Sequence, residues 1–136
     1  MILGFDPGRD KCGVAVVGDD GRVRDHRVAA AAEVVATVES LCRQFPIHLV
    51  VMGNQTTSRD WKPKIAAVLP PGVEIVWVDE RYSSLEARDR YWELYPPRGL
   101  SHLIPRGMRV PPRAIDDIVA IVLVERYLGN LEKARE

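Results

Sequence analysis

The chain has 136 residues, 46% of them apolar, which suits one domain of about 100–200 residues and a core burying roughly 68% of the unfolded surface without disulfide or metal staples. Nineteen Lys and Arg balance nineteen Asp and Glu, so bulk positive charge is excluded as a way of holding nucleic acid and any polyanion site must be local. Met1-Ile2-Leu3-Gly4-Phe5-Asp6 has no basic stretch and meets a carboxylate at once, unlike a signal peptide, and no apolar run approaches the ~18 residues of a membrane span; a cytoplasmic protein is expected.

Ile2 to Phe5 is an apolar run closed by Asp6-Pro7-Gly8, the pattern of a buried strand ending in a turn. Cys12 to Val17 is a second run, and Asp19-Asp20-Gly21 supplies turn chemistry before Val23–Val28, which predicts a hairpin of the second and third strands. Between Ala32 and Phe45, the residues Val34, Val38, Leu41 and Phe45 recur at helical spacing until Pro46 stops the pattern. His48 to Met52 is continuously apolar up to Gly53-Asn54, as in a strand of a parallel sheet covered on both faces.

Ser58 or Asp60 can cap the next helix, which carries Trp61, Ile65, Val68 and Leu69, with Pro63 tolerated only in the first turn. Pro70-Pro71-Gly72 breaks it, and Glu74 to Val78 is one more strand. Ser83 and Glu86 have capping-box spacing and open a helix that carries Leu85, Trp92 and Tyr95. From Pro96 to Pro112 the chain holds five prolines, two glycines and three arginines and no acid, a long connection of the kind that carries function or disorder. Ala114 to Leu128 is rich in β-branched residues yet long and free of Gly and Pro, with Gly129 behind it; it reads as a buried helix with a glycine C-cap. The order predicts a single α/β domain over residues 1–136, a mixed five-stranded sheet in which an antiparallel hairpin joins parallel strands, flanked by helices.

Three acids stand at element ends: Asp6 after the first strand, Glu80 after the last, and Asp116 at the start of the final helix. Ligands gather beyond the carboxyl ends of parallel strands, so Asp6 and Glu80 share a cleft if their strands run parallel. Clustered carboxylates repel unless a cation neutralises them, and hard oxygen donors select Mg²⁺ or Mn²⁺. Plainer roles exist as well, Asp6 as a turn residue and Asp116 or Asp117 as partners of the helix dipole. Cys12 and Cys42 lack metal or redox spacing and read as small buried residues. His26, His48 and His102 are equally scattered.

Ile2-Leu3-Gly4-Phe5-Asp6-Pro7-Gly8 followed by Gly13-Val14-Ala15-Val16 resembles the opening of the RuvC Holliday-junction resolvase and YqgF families of the RNase H-like superfamily. Asp79-Glu80-Arg81-Tyr82-Ser83-Ser84 is similar to the Asp-Glu-Arg signature of the YqgF branch, nucleases that mature pre-16S ribosomal RNA. Ile115-Asp116-Asp117 with Glu125-Arg126-Tyr127-Leu128 resembles that branch's last helix. The resemblance implies an RNase H-like fold and a two-metal-ion nuclease, with Asp6, Glu80 and Asp116 as catalytic residues and these three or Asp117 holding two Mg²⁺ or Mn²⁺ ions. Two departures stand out: Gly53-Asn54-Gln55 replaces the family's Gly-Leu-Pro, and Lys11 lies one position from the family's basic residue.

Phosphate contacts are expected from Lys11, Arg81, Arg98, Arg106, Arg109 and Arg113, with Arg59, Lys62 and Lys64 as the alternative surface. Trp61, Tyr91, Trp92 and Tyr95 could stack bases, though their helical spacing suits a core. The expected substrate is structured nucleic acid, a ribosomal RNA precursor or a branched DNA, and a homodimer would suit a symmetric junction. Two other classes compete: a nucleic-acid-binding module of the same fold without catalysis, and a phosphate-binding lobe of a sugar-kinase or actin-like ATPase. The absence of an internal repeat that could form a second lobe opposes the latter.

Overall fold

A computed structural model of the chain describes residues 1–55, 57–97, 99, 103–105 and 110–135. The expected sheet is present, five strands in the order β3-β2-β1-β4-β5. β1 (Ile2–Asp6) pairs antiparallel with β2 (Lys11–Val17), which pairs antiparallel with β3 (Val23–Ala30). On its other side β1 pairs parallel with β4 (Leu49–Gly53), and β4 with β5 (Glu74–Val78). The carboxyl ends of β1, β4 and β5 therefore open at one edge, and Glu80 follows β5 by two residues.

Strand alternation sends Leu3 and Phe5 to one face and Ile2, Gly4 and Asp6 to the other. The first face packs Leu3, Phe5, Val14 and Met52 against α1 (Val34–Gln44) and α2 (Ser58–Ala66) through Val38, Leu41, Trp61 and Ile65. The second packs Ile2, Ala15, Val17 and Val51 against α3 (Ser83–Leu94) and α4 (Asp116–Arg135). Ile118 to Val124 are all buried within α4, so burial outweighs the modest helix preference of β-branched residues. Two glycines let this helix lie directly on the sheet. A Cβ on Gly4 would collide with the Ala120 carbonyl oxygen, and one on Gly13 with that of Asp116. Gly13 is the register partner of Asp6, so the close approach sets the first turn of α4 beside the end of β1.

Several local expectations are corrected. Gly129 does not end α4, which continues to Arg135, because the helix is fixed by packing upstream and one half-buried glycine costs only about 1 kcal/mol. The capping box of α3 does not form: its N-cap is Tyr82 at φ 63°, without a side-chain cap bond, and Glu86 pairs with Arg126 at 2.8 Å. The buried face of α3 carries Ser83, Ala87 and Tyr91, leaving Leu85 60% exposed. α2 is N-capped by Thr57, and Pro63 lies past its first turn. No helix is long and apolar enough to cross a membrane among the described residues.

Candidate active site

Asp6 and Glu80 are both 7% exposed. Burial, then the charges of Glu80 and Asp116, then a hydrogen bond with Glu80, push the Asp6 carboxyl up to about 8. Burial also raises Glu80, against the opposing pull of the Gln55 amide and of Asp6. Burial and the nearness of two acids thus both favour a proton held by the pair. The Gln55 N–H donates to Glu80 Oε1 at 2.5 Å, while Glu80 Oε2 is buried with no donor reaching it among the described residues.

The tandem acids at the start of α4 face different surroundings. Asp116 Oδ2 lies 3.8 Å from Lys11 Nζ, and both side chains are partly exposed. A cavity of about 360 Å³ is lined by Asp6, Gly8, Lys11, Gln55, Ser84 and Asp116. Asp117, by contrast, accepts two hydrogen bonds from Arg113 at 3.0 and 3.2 Å and one from His26 Nδ1 at 2.6 Å. On its other side the His26 ring is hydrogen-bonded through Nε2 to the Tyr95 hydroxyl at 3.1 Å. Burial pulls the Asp117 carboxyl up, but the bonds and charges of Arg113 and His26 outweigh it and hold it below its usual range.

Both oxygens of Asp117 therefore have protein partners, and Asp117 does not line the cavity that Asp6 and Asp116 share. Arg113, expected to contact phosphate, pairs with Asp117 and lies over the rings of Tyr91 at 5.5 Å and Tyr95 at 6.0 Å. Arg81 pairs with Asp79 at 3.7 Å on an exposed surface, outside the residues lining this cavity. Arg98, Arg106, Arg109 and His102 lie outside the described residues. Trp61 is buried and its Nε1–H donates to the Gly8 carbonyl at 2.8 Å, pinning the turn after Asp6 rather than offering a stacking face.

Sequence reasoning missed three supports. Gly53 leaves room for Glu80, whose Oε1 would stand 2.7 Å from a Cβ there. The Gln55 amide is the second, and its only signal was the departure from Gly-Leu-Pro. Arg126 is the third, donating to the Asp79 carbonyl at 2.8 Å while paired with Glu86, which steadies the backbone one residue before Glu80.

Among the described residues, no group of three or more His, Cys, Asp or Glu is gathered closely enough to cage an ion. The donors nonetheless fit a hard divalent cation in kind. Asp6 and Glu80 are a buried carboxyl pair with an orphaned oxygen, and the charge of Asp116 is felt at Asp6; oxygen donors of this sort suit Mg²⁺ or Mn²⁺. Cys12 is no thiolate rival, since burial pushes its thiol up to about 11.

The model of the Tex protein YqgF-like domain matches residues 1–88. Proteins named "Putative pre-16S rRNA nuclease" from two Burkholderia ambifaria strains, MC40-6 and AMMD, are each 28% identical over 143 residues, covering 96% of this chain and 89% of theirs. Thermus thermophilus RuvC in complex with a Holliday junction substrate aligns at 17% identity and a TM-score of 0.57, over 98% of this chain and 94% of that one. A second structure of Thermus thermophilus RuvC aligns at 16% identity and a TM-score of 0.51, over 96% of each chain. At these identities the structural likeness establishes the RuvC, RNase H-like fold.

Proposed function

The chain belongs to the family of the Tex protein YqgF-like domain, and from that premise we propose that it is a divalent-metal-dependent nuclease hydrolysing phosphodiester bonds of structured nucleic acid. One observation carries the reading: a buried Asp6–Glu80 carboxyl pair, with Asp6 raised to about 8, at the carboxyl edge of the parallel strands and beside Asp116. A protein that only bound nucleic acid would gain nothing from burying mutually repelling acids.

Asp6, Glu80 and Asp116 would hold two ions, Mg²⁺ or Mn²⁺. When bound, such ions offset the negative charge that would repel a phosphodiester, acidify the attacking water and stabilise the leaving oxygen. Asp6, whose carboxyl is raised by burial and its acidic neighbours, would serve as a ligand in its ionised form. Glu80 is held in place by the Gln55 amide. Lys11, half exposed at 3.8 Å from Asp116, reaches the cavity mouth and supplies a cation for the phosphate that enters it. With zero net charge over the chain, substrate selection rests on such local contacts.

The name and near-complete coverage of the Burkholderia relatives favour a precursor of 16S ribosomal RNA as substrate, and a cytoplasmic setting with it. A second reading, cleavage of a four-way DNA junction, is favoured by the fold shared with the junction-bound RuvC; it requires two sites and hence a homodimer. The test compares cleavage of a precursor-like RNA, duplex DNA and a four-way junction under Mg²⁺, Mn²⁺ and chelator, with Glu80→Gln alongside. Divalent-dependent cleavage lost in the variant is expected. Absence of cleavage on every substrate, or cleavage that survives chelation, overturns the proposal.

A further inference from the structure

We propose that the segment Gly53-Asn54-Gln55 is a cradle that positions Glu80, with the backbone N–H of Gln55, not its side chain, as the positioning group. This rests on the nuclease reading and adds residues to its site. Three interactions meet on Glu80 from the end of β4. Gly53 has no side chain where a Cβ would stand 2.7, 2.8 and 3.0 Å from Oε1, Cδ and Oε2. The Gln55 N–H donates to Oε1 at 2.5 Å. The Glu80 N–H in turn reaches Asn54 Oδ1 at 3.4 Å, tying the backbone of the one loop to the side chain of the other.

The geometry explains why the loop is built this way. A glutamate has three side-chain torsions, and near a neighbouring carboxylate it would swing toward solvent. One charge-assisted bond to a fixed amide removes that freedom, and the bare Gly53 provides the space in which the carboxylate lies. Gly53 has no positive φ, so its lack of a side chain answers to Glu80 rather than to backbone strain. A proline at position 55 would have no N–H to give; the residue that stands there can do what proline cannot.

The test reads three quantities on the full chain: kcat and KM on the substrate that is cleaved, Mn²⁺ affinity by calorimetry, and thermal midpoint. Gln55→Ala keeps the N–H and Gln55→Pro removes it. The proline variant should fall at least about tenfold below the alanine variant in kcat and in Mn²⁺ affinity, the loss expected for a hydrogen bond to a charged group, with KM little changed. Because the proline could disturb the loop, Gly53→Ala presses on Glu80 independently. It should lower kcat and Mn²⁺ affinity with the thermal midpoint preserved, since the atoms met are the end of a flexible side chain. In a Glu80→Asp background the same Gly53→Ala should cost much less, because the shorter acid vacates the space.

Equal losses for Gln55→Ala and Gln55→Pro, or additive effects of Gly53→Ala and Glu80→Asp, would overturn the cradle while leaving the nuclease intact. A wild-type chain that neither binds Mn²⁺ nor cleaves would instead overturn the nuclease reading on which it rests.

Discussion

Asp6→Asn should stabilise the metal-free protein at neutral pH while abolishing cleavage. Asp6 is 7% exposed, and burial first, then Glu80 and Asp116, raise its carboxyl to about 8, against about 3.9 in an unfolded chain. Between those values the folded state holds a proton that the unfolded state has released. Stability is therefore complete below about pH 4 and falls as pH climbs toward 8, by up to about 1.4 kcal/mol per unit. Asparagine keeps the size and does not titrate, and its amide can donate where the proton did. The variant should match wild type near pH 4 and exceed it by about 2–4 kcal/mol at pH 7. At ~2.1 cal/mol/K per residue, that is roughly 7–14 °C in thermal midpoint for a chain of this size. Unfolding followed by circular dichroism from pH 4.5 to 8, in chelator, measures it. Adding Mn²⁺ should then raise the wild type by mass action and leave the variant unmoved. Parallel pH profiles for the two proteins would refute the account of Asp6.

Asp116→Asn should change stability by less than about 0.5 kcal/mol and remove divalent-dependent cleavage, read by nuclease assay and melting together. Asp117→Ala should cost about 2–3 kcal/mol in denaturant titrations, below the 3–5 of a fully buried pair because the Arg113 side chain is 39% exposed. Since the Asp117 carboxyl is held low, its contribution should be present at neutral pH and vanish as acid titrates it, so wild type and variant converge in strong acid. Gly13→Ala drives a Cβ into the Asp116 carbonyl; α4 must shift, at about 1–3 kcal/mol, with cleavage falling as Asp116 moves. Arg106→Ala with Arg109→Ala should flatten the salt dependence of binding by about 0.9 for each duplex phosphate no longer neutralised, or ~0.7 for a single strand, without altering the melting temperature. An unchanged slope would move phosphate binding to Lys11 or to Arg59, Lys62 and Lys64.

The strands, their mixed pairing and the acids at their ends were legible because their signals are local. A continuous apolar run bounded by Asp6-Pro7-Gly8 or Gly53-Asn54 reads as a buried strand whatever surrounds it, and Asp6 and Glu80 fall at strand ends by counting alone. Helix signals were less dependable where packing could override them. Ser83 and Glu86 have capping spacing, yet Arg126 claims Glu86 from a helix forty residues away, and Gly129 is carried through by a helix already buried upstream. The choice between Asp116 and Asp117 could not be read at all. Adjacent helical residues point about 100° apart, so one must turn to the cavity and the other away, and only the rotation of α4 about its axis says which. That rotation is set where the helix backbone lies on Gly4 and Gly13. It turns Asp117 to Arg113 and His26 and leaves Asp116 to Lys11 and the cavity. The close approach of a helix to a sheet more than a hundred residues earlier in sequence is a property of the packed core, and no local pattern encodes it.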